Sequence, residues 1–318
     1  MPRKPRLDAP GLLHHIIARG IDGQELFADS KDKEFFIERL GAILLETETP
    51  IFGFTIIPNH FHLLLRREKT DIATVMRRLL TGYAIHYNKR HKRFGHLFQN
   101  RYKGIICQDE PYFLELIRYI HLNPIRAGLC TSAVSLNSYP FSGHSYIMGN
   151  QKSEWFKPDL VLSHFAPTKK KAMRAYLEFL IDGLSMGKRP DLTGGGLKRS
   201  LGYPKNYPKG KQASDERILG EGSFVESVLA TVEDRPVTDQ PYDIDSLISS
   251  VCKEFGVSKA SILGSTRTRP VTNARAYLAY RMSTELGLSP TQIAGVLSIS
   301  VPGTLKAIDR SISIRGNT

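Results

Sequence analysis

Hydrophobic and polar positions follow two different periods along the first half of the chain. Short runs of branched and aromatic residues predict β-strands, and two of these runs are separated only by Pro58-Asn59. Between the runs, apolar residues recur every three or four positions, which predicts amphipathic helices that Ser30 and Asp71 can cap. The predicted elements are strands at 12–18, 51–57, 60–66 and within 97–107, and helices at 30–50, 71–87 and 109–122.

The order of these elements predicts an α+β fold for residues 1–145. Strand, helix, strand, strand, helix and strand form the ferredoxin-like split βαβ arrangement, an antiparallel sheet with helices on one face, and a further helix follows. The hairpin around Pro58-Asn59 would lie in the middle of that sheet. Pro124 disfavours helical geometry at Asn123, which should therefore lie at the last turn of the third helix or just past it.

Two further regions are predicted after the α+β domain. Residues 146–240 are irregular and basic, with short helices and a glycine- and proline-rich stretch at 202–210 that indicates a linker. Residues 241–318 form a smaller all-α domain. Its predicted helices cover 244–255, 271–286, 289–297 and a stretch that starts after Ser300.

The last two helices of the chain resemble a helix-turn-helix. In this interpretation Thr304 and Lys306 would read bases of double-stranded DNA, while Arg267, Arg269 and Arg275 would bind backbone phosphates. A helical module that contacts another protein is the alternative.

The charge balance points to a polyanionic partner. The 318 residues include 44 Lys and Arg against 31 Asp and Glu, a net charge of +13, which favours nucleic acid. No apolar stretch approaches the roughly 18–20 residues that span a bilayer, and no signal-peptide core follows the basic N-terminus, so we expect a cytoplasmic protein without a membrane partner. Three scattered cysteines predict reduced thiols, not a disulfide framework or a thiolate zinc site.

His60 and His62 are candidate metal ligands. Side chains alternate between the two faces of a strand, so both imidazoles point the same way while Phe61 points into the opposite layer. Two imidazoles suit a divalent ion better than an apolar core, because each ring keeps a donor and an acceptor. A polar strand face without metal is the alternative. Mn²⁺ tolerates imidazole and Mg²⁺ prefers oxygen, so an amide, water and substrate phosphate would complete the site.

Tyr119 and Asn123 lie four residues apart and would share one face of the third helix if the helix reaches them. A tyrosine hydroxyl is a poor nucleophile until a base or a metal assists it, and Asn123 could bring a metal beside it as the third ligand. Packing of Tyr119 as an ordinary core residue of an amphipathic helix is the alternative.

A basic segment, residues 86–103, contains no acidic residue. Its cations could neutralise phosphates and its aromatic rings, including Phe94, could stack on unpaired bases; a solvated charged surface is the alternative. The residues predicted to bind DNA are Lys89, Arg90, Lys92, Arg93, Phe98, Arg101, Tyr102 and Lys103.

Three stretches together resemble the HUH single-tyrosine transposases, and among them the REP-associated tyrosine transposases of bacteria. These stretches are 58–65 (PNHFHLLL), 95–103 (GHLFQNRYK) and 119–124 (YIHLNP), in that order along residues 1–145. The resemblance implies His60 and His62 as metal ligands, Tyr119 as the nucleophile and Asn123 as the third ligand. The tail from 242 to 313 resembles more loosely the DNA-binding helical domain of bacterial replication initiators, from which Pro302-Gly303 in the reading helix departs.

The resemblance implies an enzyme that uses Mg²⁺ or Mn²⁺ to break single-stranded DNA, often beside a hairpin, and to rejoin it. The tyrosine becomes linked to the 5′ phosphate and a free 3′ hydroxyl remains. Such a protein would be nucleoid-associated in the bacterial cytoplasm, as a monomer or homodimer. Two alternatives stay open: a non-catalytic DNA-binding regulator on the same fold, and a metal-dependent nuclease that uses water.

Overall fold

A five-stranded sheet with helices on both faces gives the protein its α+β architecture. The computed structural model describes residues 6–187, 189–196, 213–233 and 244–315. The strand order is β2-β3-β1-β4-β5; the first four strands are antiparallel and β5 runs parallel to β4. This order of the antiparallel strands is the predicted split βαβ arrangement. The strands are β1 (Leu13–Arg19), β2 (Ile51–Ile57), β3 (His60–Arg66), β4 (Lys103–Cys107) and β5 (Ile218–Leu219).

The helices alternate with the strands in the first half of the chain and dominate the second half. Short 3-10 helices at Ile21–Gly23, Gly183–Met186 and Pro190–Thr193 supplement them. The α-helices are α1 (Ser30–Glu46), α2 (Ile72–Arg90), α3 (Asp109–His121), α4 (Asn123–Arg126), α5 (Ala133–Asn137), α6 (Gly143–Ile147), α7 (Asp159–Leu162), α8 (Lys169–Asp182), α9 (Gly222–Glu233), α10 (Ile244–Phe255), α11 (Lys259–Leu263), α12 (Arg269–Thr284), α13 (Pro290–Leu297) and α14 (Val301–Arg315).

Several predicted boundaries agree with the structure and others do not. The bounds of β2 and β3 are confirmed, and Asn123 lies just past α3, as predicted. The residue that caps α1 is Asp29, whose side chain accepts a hydrogen bond from the Asp32 amide, and not Ser30. The fourth strand begins only at residue 103. None of the predicted elements corresponds to β5, which pairs with β4 over two residues.

The chain divides into two compact units, one containing residues 1–72 and 91–236 and the other residues 73–90 and 237–318. Most of α2 therefore groups with the C-terminal helices. The predicted linker stretch at 202–210 lies outside the described residues. The division into domains at 145 and 240 stays a prediction. Within the described part of the chain, no helix is both long and apolar enough to cross a membrane.

The two faces of the sheet in the first unit carry different helices. Phe61 points towards α1, where its ring lies 4.8 Å from that of Phe36, and both rings are fully buried. On the opposite face α3 covers β2, and Gly53 of β2 leaves space for the His121 ring: a Cβ at residue 53 would lie 3.3 Å from His121 Nε2. The histidine face of β3 is therefore the face on which α3 ends.

Gly41 allows α1 to pack against the ring of Trp155. A Cβ at residue 41 would lie 2.5 Å from two atoms of that ring, although glycine is an unfavourable residue inside a helix. We expect Gly41→Ala to destabilise the protein by about 1–3 kcal/mol through overpacking. Ala42, exposed beside it in α1, is the matched control, since Ala42→Gly should lose only about 1 kcal/mol of helix propensity. Urea unfolding of both variants measures the difference, and a stabilised Gly41→Ala variant would contradict the packing account.

A buried hydrogen-bond network ties α3 to α6 and α8. The Tyr176 hydroxyl lies 2.9 Å from Nδ1 of His121 and 2.9 Å from Nδ1 of His144, whose Nε2 lies 2.7 Å from Asn137 Oδ1. Because the amide oxygen only accepts, His144 donates from Nε2 and accepts from the Tyr176 hydroxyl, which in turn accepts from His121. The network holds the C-terminal end of α3 against the helices that follow it.

This network should make the protein sensitive to acid. Burial lowers the pKa of His144 from 6.5 to about 4. Burial also lowers the pKa of His121. Between pH 6.5 and about pH 4, His144 is protonated in the unfolded chain and neutral in the folded chain. The free energy of unfolding therefore decreases as the pH falls through this window. The contribution of His144 is about 3 kcal/mol.

We expect His144→Gln to show a correspondingly smaller loss of unfolding free energy between pH 6.5 and pH 4 than the wild-type protein. Urea titrations followed by the fluorescence of Trp155, the one tryptophan of the sequence, report on this unit. Equal losses in the two proteins would show that His144 does not contribute to the acid sensitivity.

The second unit has its own apolar core, built from α10 to α14, with Ile85 of α2 packed against it. Two of the residues predicted to contact double-stranded DNA have other roles in this unit. Thr304 is fully buried and its hydroxyl donates to the Ser300 carbonyl. The guanidinium of Arg275 donates to four backbone carbonyls that follow or close α11. These contacts hold the α11–α12 connection, so Arg275 acts within the fold.

Candidate active site

His60 and His62 lie on one face of β3, which pairs with β1 on one side and with β2 on the other. The prediction that this hairpin lies in the middle of the sheet is wrong, because β2 is the edge strand and β1 is the central strand. In the register of the strands, His60 faces Arg19 of β1 and His62 faces Thr55 of β2. The ring centroids of the two histidines are 5.1 Å apart and the rings are close to perpendicular. His62 is buried and His60 is half-buried, so the histidine pair is accessible to solvent at the His60 end of β3. The strand alternation predicted from the sequence is confirmed.

Both imidazoles are held neutral by their surroundings. Burial, with a smaller effect of the Arg19 charge, lowers the pKa of His60 to about 4. Burial also lowers the pKa of His62 well below its usual value, and the neighbouring His15 and His60 act in the same direction. A metal ligand must be the neutral ring with a free lone pair, so the electrostatics near neutral pH favour coordination.

The available lone pairs fit a divalent cation. Nδ1 of His60 lies 2.8 Å from Asn59 Oδ1, to which it donates, and this leaves the lone pair of His60 on Nε2. Nε2 of His62 is buried and has no hydrogen-bond partner among the described residues. A buried polar nitrogen without a partner is costly unless something binds it. Among the described residues, no group of three or more His, Cys, Asp or Glu side chains is arranged to hold a metal ion.

Tyr119 meets this histidine face from the end of α3. Its ring centroid lies 5.5 Å from that of His62, edge-on, and the ring is half-buried. Asn123 is buried, and its amide nitrogen donates to the Tyr119 carbonyl at 2.8 Å. That bond uses the nitrogen of the amide and leaves its oxygen, the ligand type that Mg²⁺ and Mn²⁺ accept. The structure thus brings together the histidine pair, the phenol and the amide that the sequence singled out.

The environment of the Tyr119 hydroxyl combines opposing effects on its pKa. Burial is the largest and raises the pKa, whereas the Arg126 charge and the Asn123 amide lower it. The Arg126 guanidinium lies 5.2 Å from the centre of the Tyr119 ring, and it also donates to the Tyr119 carbonyl at 3.3 Å. The phenol is therefore protonated near neutral pH, and a cation stands beside it to stabilise negative charge.

Three residues beside the site were missed by the sequence analysis. His15 of β1 lies 2.9 Å from His62, Arg19 is opposite His60, and Arg126 lies over Tyr119. The two β1 residues gave no local signal, because their nearness to β3 follows from strand pairing. Arg126 had one: it lies seven residues after Tyr119, in the turn that follows Pro124.

The predicted DNA-binding residues occupy several environments. Lys89, Lys92, Arg101 and Lys103 are exposed, and Arg90, Arg93 and Phe98 are half-buried. Lys89 and Arg90 close α2 and belong to the second unit, and the others lie in the first unit.

The surroundings of three residues in the basic segment bear on the prediction that this segment binds DNA. Tyr102 is buried beneath Arg6, whose guanidinium lies 3.9 Å from the ring centre, so this ring offers no face for a base. Lys103 donates to the Thr193 carbonyl at 2.5 Å. Phe94, in contrast, is 94% exposed beside Gly95, whose φ of +90° turns the chain. Phe94 is therefore the most exposed Phe or Tyr side chain of residues 86–103.

One family model matches part of the chain. Residues 9–123, a little over a third of the chain, match the family model described as "Transposase IS200 like". The match contains all the candidate site residues named by the sequence motifs and supports a role in processing DNA. None of the curated proteins compared with the chain matches it.

Among solved structures, similarity extends to one described as "Structure of the REP associates tyrosine transposase bound to a REP hairpin". The two chains are 12% identical, the alignment covers 49% of this chain and 98% of that one, and the TM-score is 0.40.

Proposed function

From the match of residues 9–123 to IS200-like transposases, we propose that this protein is a metal-dependent enzyme that nicks and rejoins single-stranded DNA through a 5′-phosphotyrosine intermediate. The observation that carries the proposal is the distance of 5.5 Å between the rings of Tyr119 and His62. A nucleophile beside two neutral imidazoles is an arrangement for breaking a phosphodiester bond.

His60, His62 and the Asn123 oxygen would hold the cation. A bound Mg²⁺ or Mn²⁺ would polarise the scissile phosphate and stabilise the leaving oxygen. The fit rests on Nε2 of the buried His62, which has no hydrogen-bond partner in the part of the chain that the structure describes. It rests also on the amide oxygen of Asn123, which the hydrogen bond to the Tyr119 carbonyl does not use.

The residues of the chain perform the remaining tasks. The Tyr119 oxygen attacks the phosphorus, the bond between phosphorus and the 3′ oxygen breaks, and the phenol proton passes to a base while the 3′ oxygen takes one up. Arg126 would stabilise the phenolate that forms during attack, since its charge already lowers the Tyr119 pKa. Reversal of the step, with a 3′ hydroxyl attacking the tyrosyl phosphate, rejoins strands without an external energy source.

The exposed cations of residues 91–103 and the ring of Phe94 would hold the single strand. Lys92 and Arg101 are exposed on this segment, and Arg93 is half-buried where it bonds Gln24 and the His96 carbonyl. Cations of this kind bind phosphates without reading sequence, and an exposed ring can stack on any base. The proposed partner is single-stranded DNA beside a hairpin, as the resemblance to single-tyrosine transposases implies.

A strand-cleavage assay separates this function from its alternatives. We expect hairpin-flanked single-stranded DNA, labelled at its 5′ or its 3′ end, to give a free 3′ hydroxyl fragment and a denaturation-resistant adduct with the other fragment in Mn²⁺ or Mg²⁺. Cleavage without an adduct would indicate a water-using nuclease. Salt-sensitive DNA binding without cleavage would indicate the non-catalytic regulator.

A further inference from the structure

A chain of hydrogen bonds runs behind His62, away from the candidate metal position. Nδ1 of His62 lies 2.9 Å from Nε2 of His15, and Nδ1 of His15 lies 3.1 Å from the Leu192 carbonyl oxygen. The two rings are stacked with their centroids 5.2 Å apart, and both are fully buried. His15 is not part of the family motifs named above, and Leu192 is 177 residues away from it.

The Leu192 carbonyl, at the end of this series of hydrogen bonds, sets the direction of both bonds. A carbonyl oxygen only accepts, so Nδ1 of His15 carries a proton and donates. In the neutral ring, Nε2 of His15 then holds a lone pair and accepts from Nδ1–H of His62. Nε2 of His62 is therefore the nitrogen without a proton, and this buried atom has no hydrogen-bond partner among the described residues.

We propose that His15 is a positioning residue that fixes His62 in the tautomer with its lone pair on Nε2, directed to the metal. The inference rests on the proposed metal-binding role of His62. A hydrogen bond to the second ring nitrogen is a common way to orient a histidine ligand and fix its protonation. Here the acceptor is a second histidine, which is itself oriented by a backbone carbonyl.

The carbonyl at the far end belongs to a segment that is anchored at three points. Arg189 forms ion pairs with Asp191 and, at 2.9 Å, with Glu115 of α3. Lys103 of β4 donates to the carbonyl of Thr193, and the side chain of Leu192 is 1% exposed. Residues 189–193, from the region predicted to be an irregular linker, thus hold the Leu192 carbonyl over His15 and contribute to the site.

Two substitutions of His15 separate a positioning role from a merely structural one. His15→Leu removes the acceptor for His62, whereas His15→Gln keeps an acceptor oxygen. His14→Leu is the matched control, because His14 is the neighbouring buried residue of β1 and points to the opposite face, where Asp8 contacts it at 3.2 Å. Thermal unfolding confirms that each variant is folded before it is used.

The first readout is Mn²⁺ affinity, measured by calorimetry on the full-length protein without DNA. We expect His15→Leu to bind Mn²⁺ about 10–100-fold more weakly, which is the usual cost of losing such a partner. His15→Gln should recover most of the affinity and His14→Leu should match the wild type. Wild-type affinity in His15→Leu, or equal losses in His15→Leu and His15→Gln, would overturn the proposal.

The second readout needs no metal. In metal-free protein with ¹⁵N-labelled histidine, the two ring nitrogens of His62, assigned by their loss in His62→Gln, should show a proton on Nδ1 and none on Nε2. A proton on Nε2 in the wild type would overturn the proposal. If the wild type shows the predicted tautomer but does not bind Mn²⁺, the positioning role of His15 is supported. Only the proposed metal-binding function is then contradicted.

Discussion

Tyr119→Phe should abolish the covalent protein–DNA adduct and reduce strand cleavage by at least about a thousand-fold, because it removes the only oxygen of the proposed nucleophile. DNA binding should be unchanged, since the ring that packs 5.5 Å from His62 stays in place. Quantified adduct on denaturing gels, beside binding measured by fluorescence anisotropy, gives both values.

Tyr112→Phe is the control for this substitution. Tyr112 lies on α3 two turns before Tyr119, and burial raises its pKa to about 12. The Tyr112→Phe variant therefore also loses a buried hydroxyl, but this hydroxyl has no role in the proposed chemistry. We expect wild-type adduct yield from Tyr112→Phe. Adduct formation by Tyr119→Phe at the wild-type level would show that another residue attacks the phosphate.

His62→Ala should remove divalent-metal binding and reduce cleavage by about 100-fold or more, since a metal contributes several kcal/mol to stabilising charge at the phosphate. His60→Ala should act in the same direction and more weakly, because His60 is half-buried and water can take its place, whereas Nε2 of His62 is enclosed. Calorimetric Mn²⁺ titration and cleavage at a series of Mn²⁺ concentrations report the two effects separately.

His14→Ala is the reference for these two variants, as a buried histidine of the same sheet that faces away from the site. It should bind Mn²⁺ like the wild type. Unchanged Mn²⁺ affinity in both His60→Ala and His62→Ala would contradict the assignment of the histidine pair and would leave Tyr119 without its proposed cation.

Local patterns were enough to predict the elements that carry the site. The bounds of β2 and β3 follow from apolar runs interrupted at Pro58-Asn59, and the common face of His60 and His62 follows from strand alternation. The proximity of Asn123 to Tyr119 follows from helical spacing, although α3 ends at His121 and Asn123 begins α4. These are relations between residues a few positions apart, which local geometry determines.

The positions of the other residues around this site depend on contacts between distant parts of the chain. His15 reaches His62 only through the pairing of β1 with β3, and Leu192 reaches His15 from 177 residues away. Tyr102 looked like a base-stacking residue because of its basic neighbours, but strand geometry at the start of β4 turns it inward beneath Arg6. Charge and composition describe what a segment can bind, and the tertiary fold decides which side chains face solvent.

The most direct test is to identify the residue that becomes linked to DNA. The protein is incubated with hairpin-flanked single-stranded DNA in Mn²⁺, the adduct is digested with protease and nuclease, and the linked peptide is sequenced by mass spectrometry. We expect a nucleotide joined through its 5′ phosphate to Tyr119. A nucleotide on any other residue, or efficient cleavage that leaves no adduct, would contradict it.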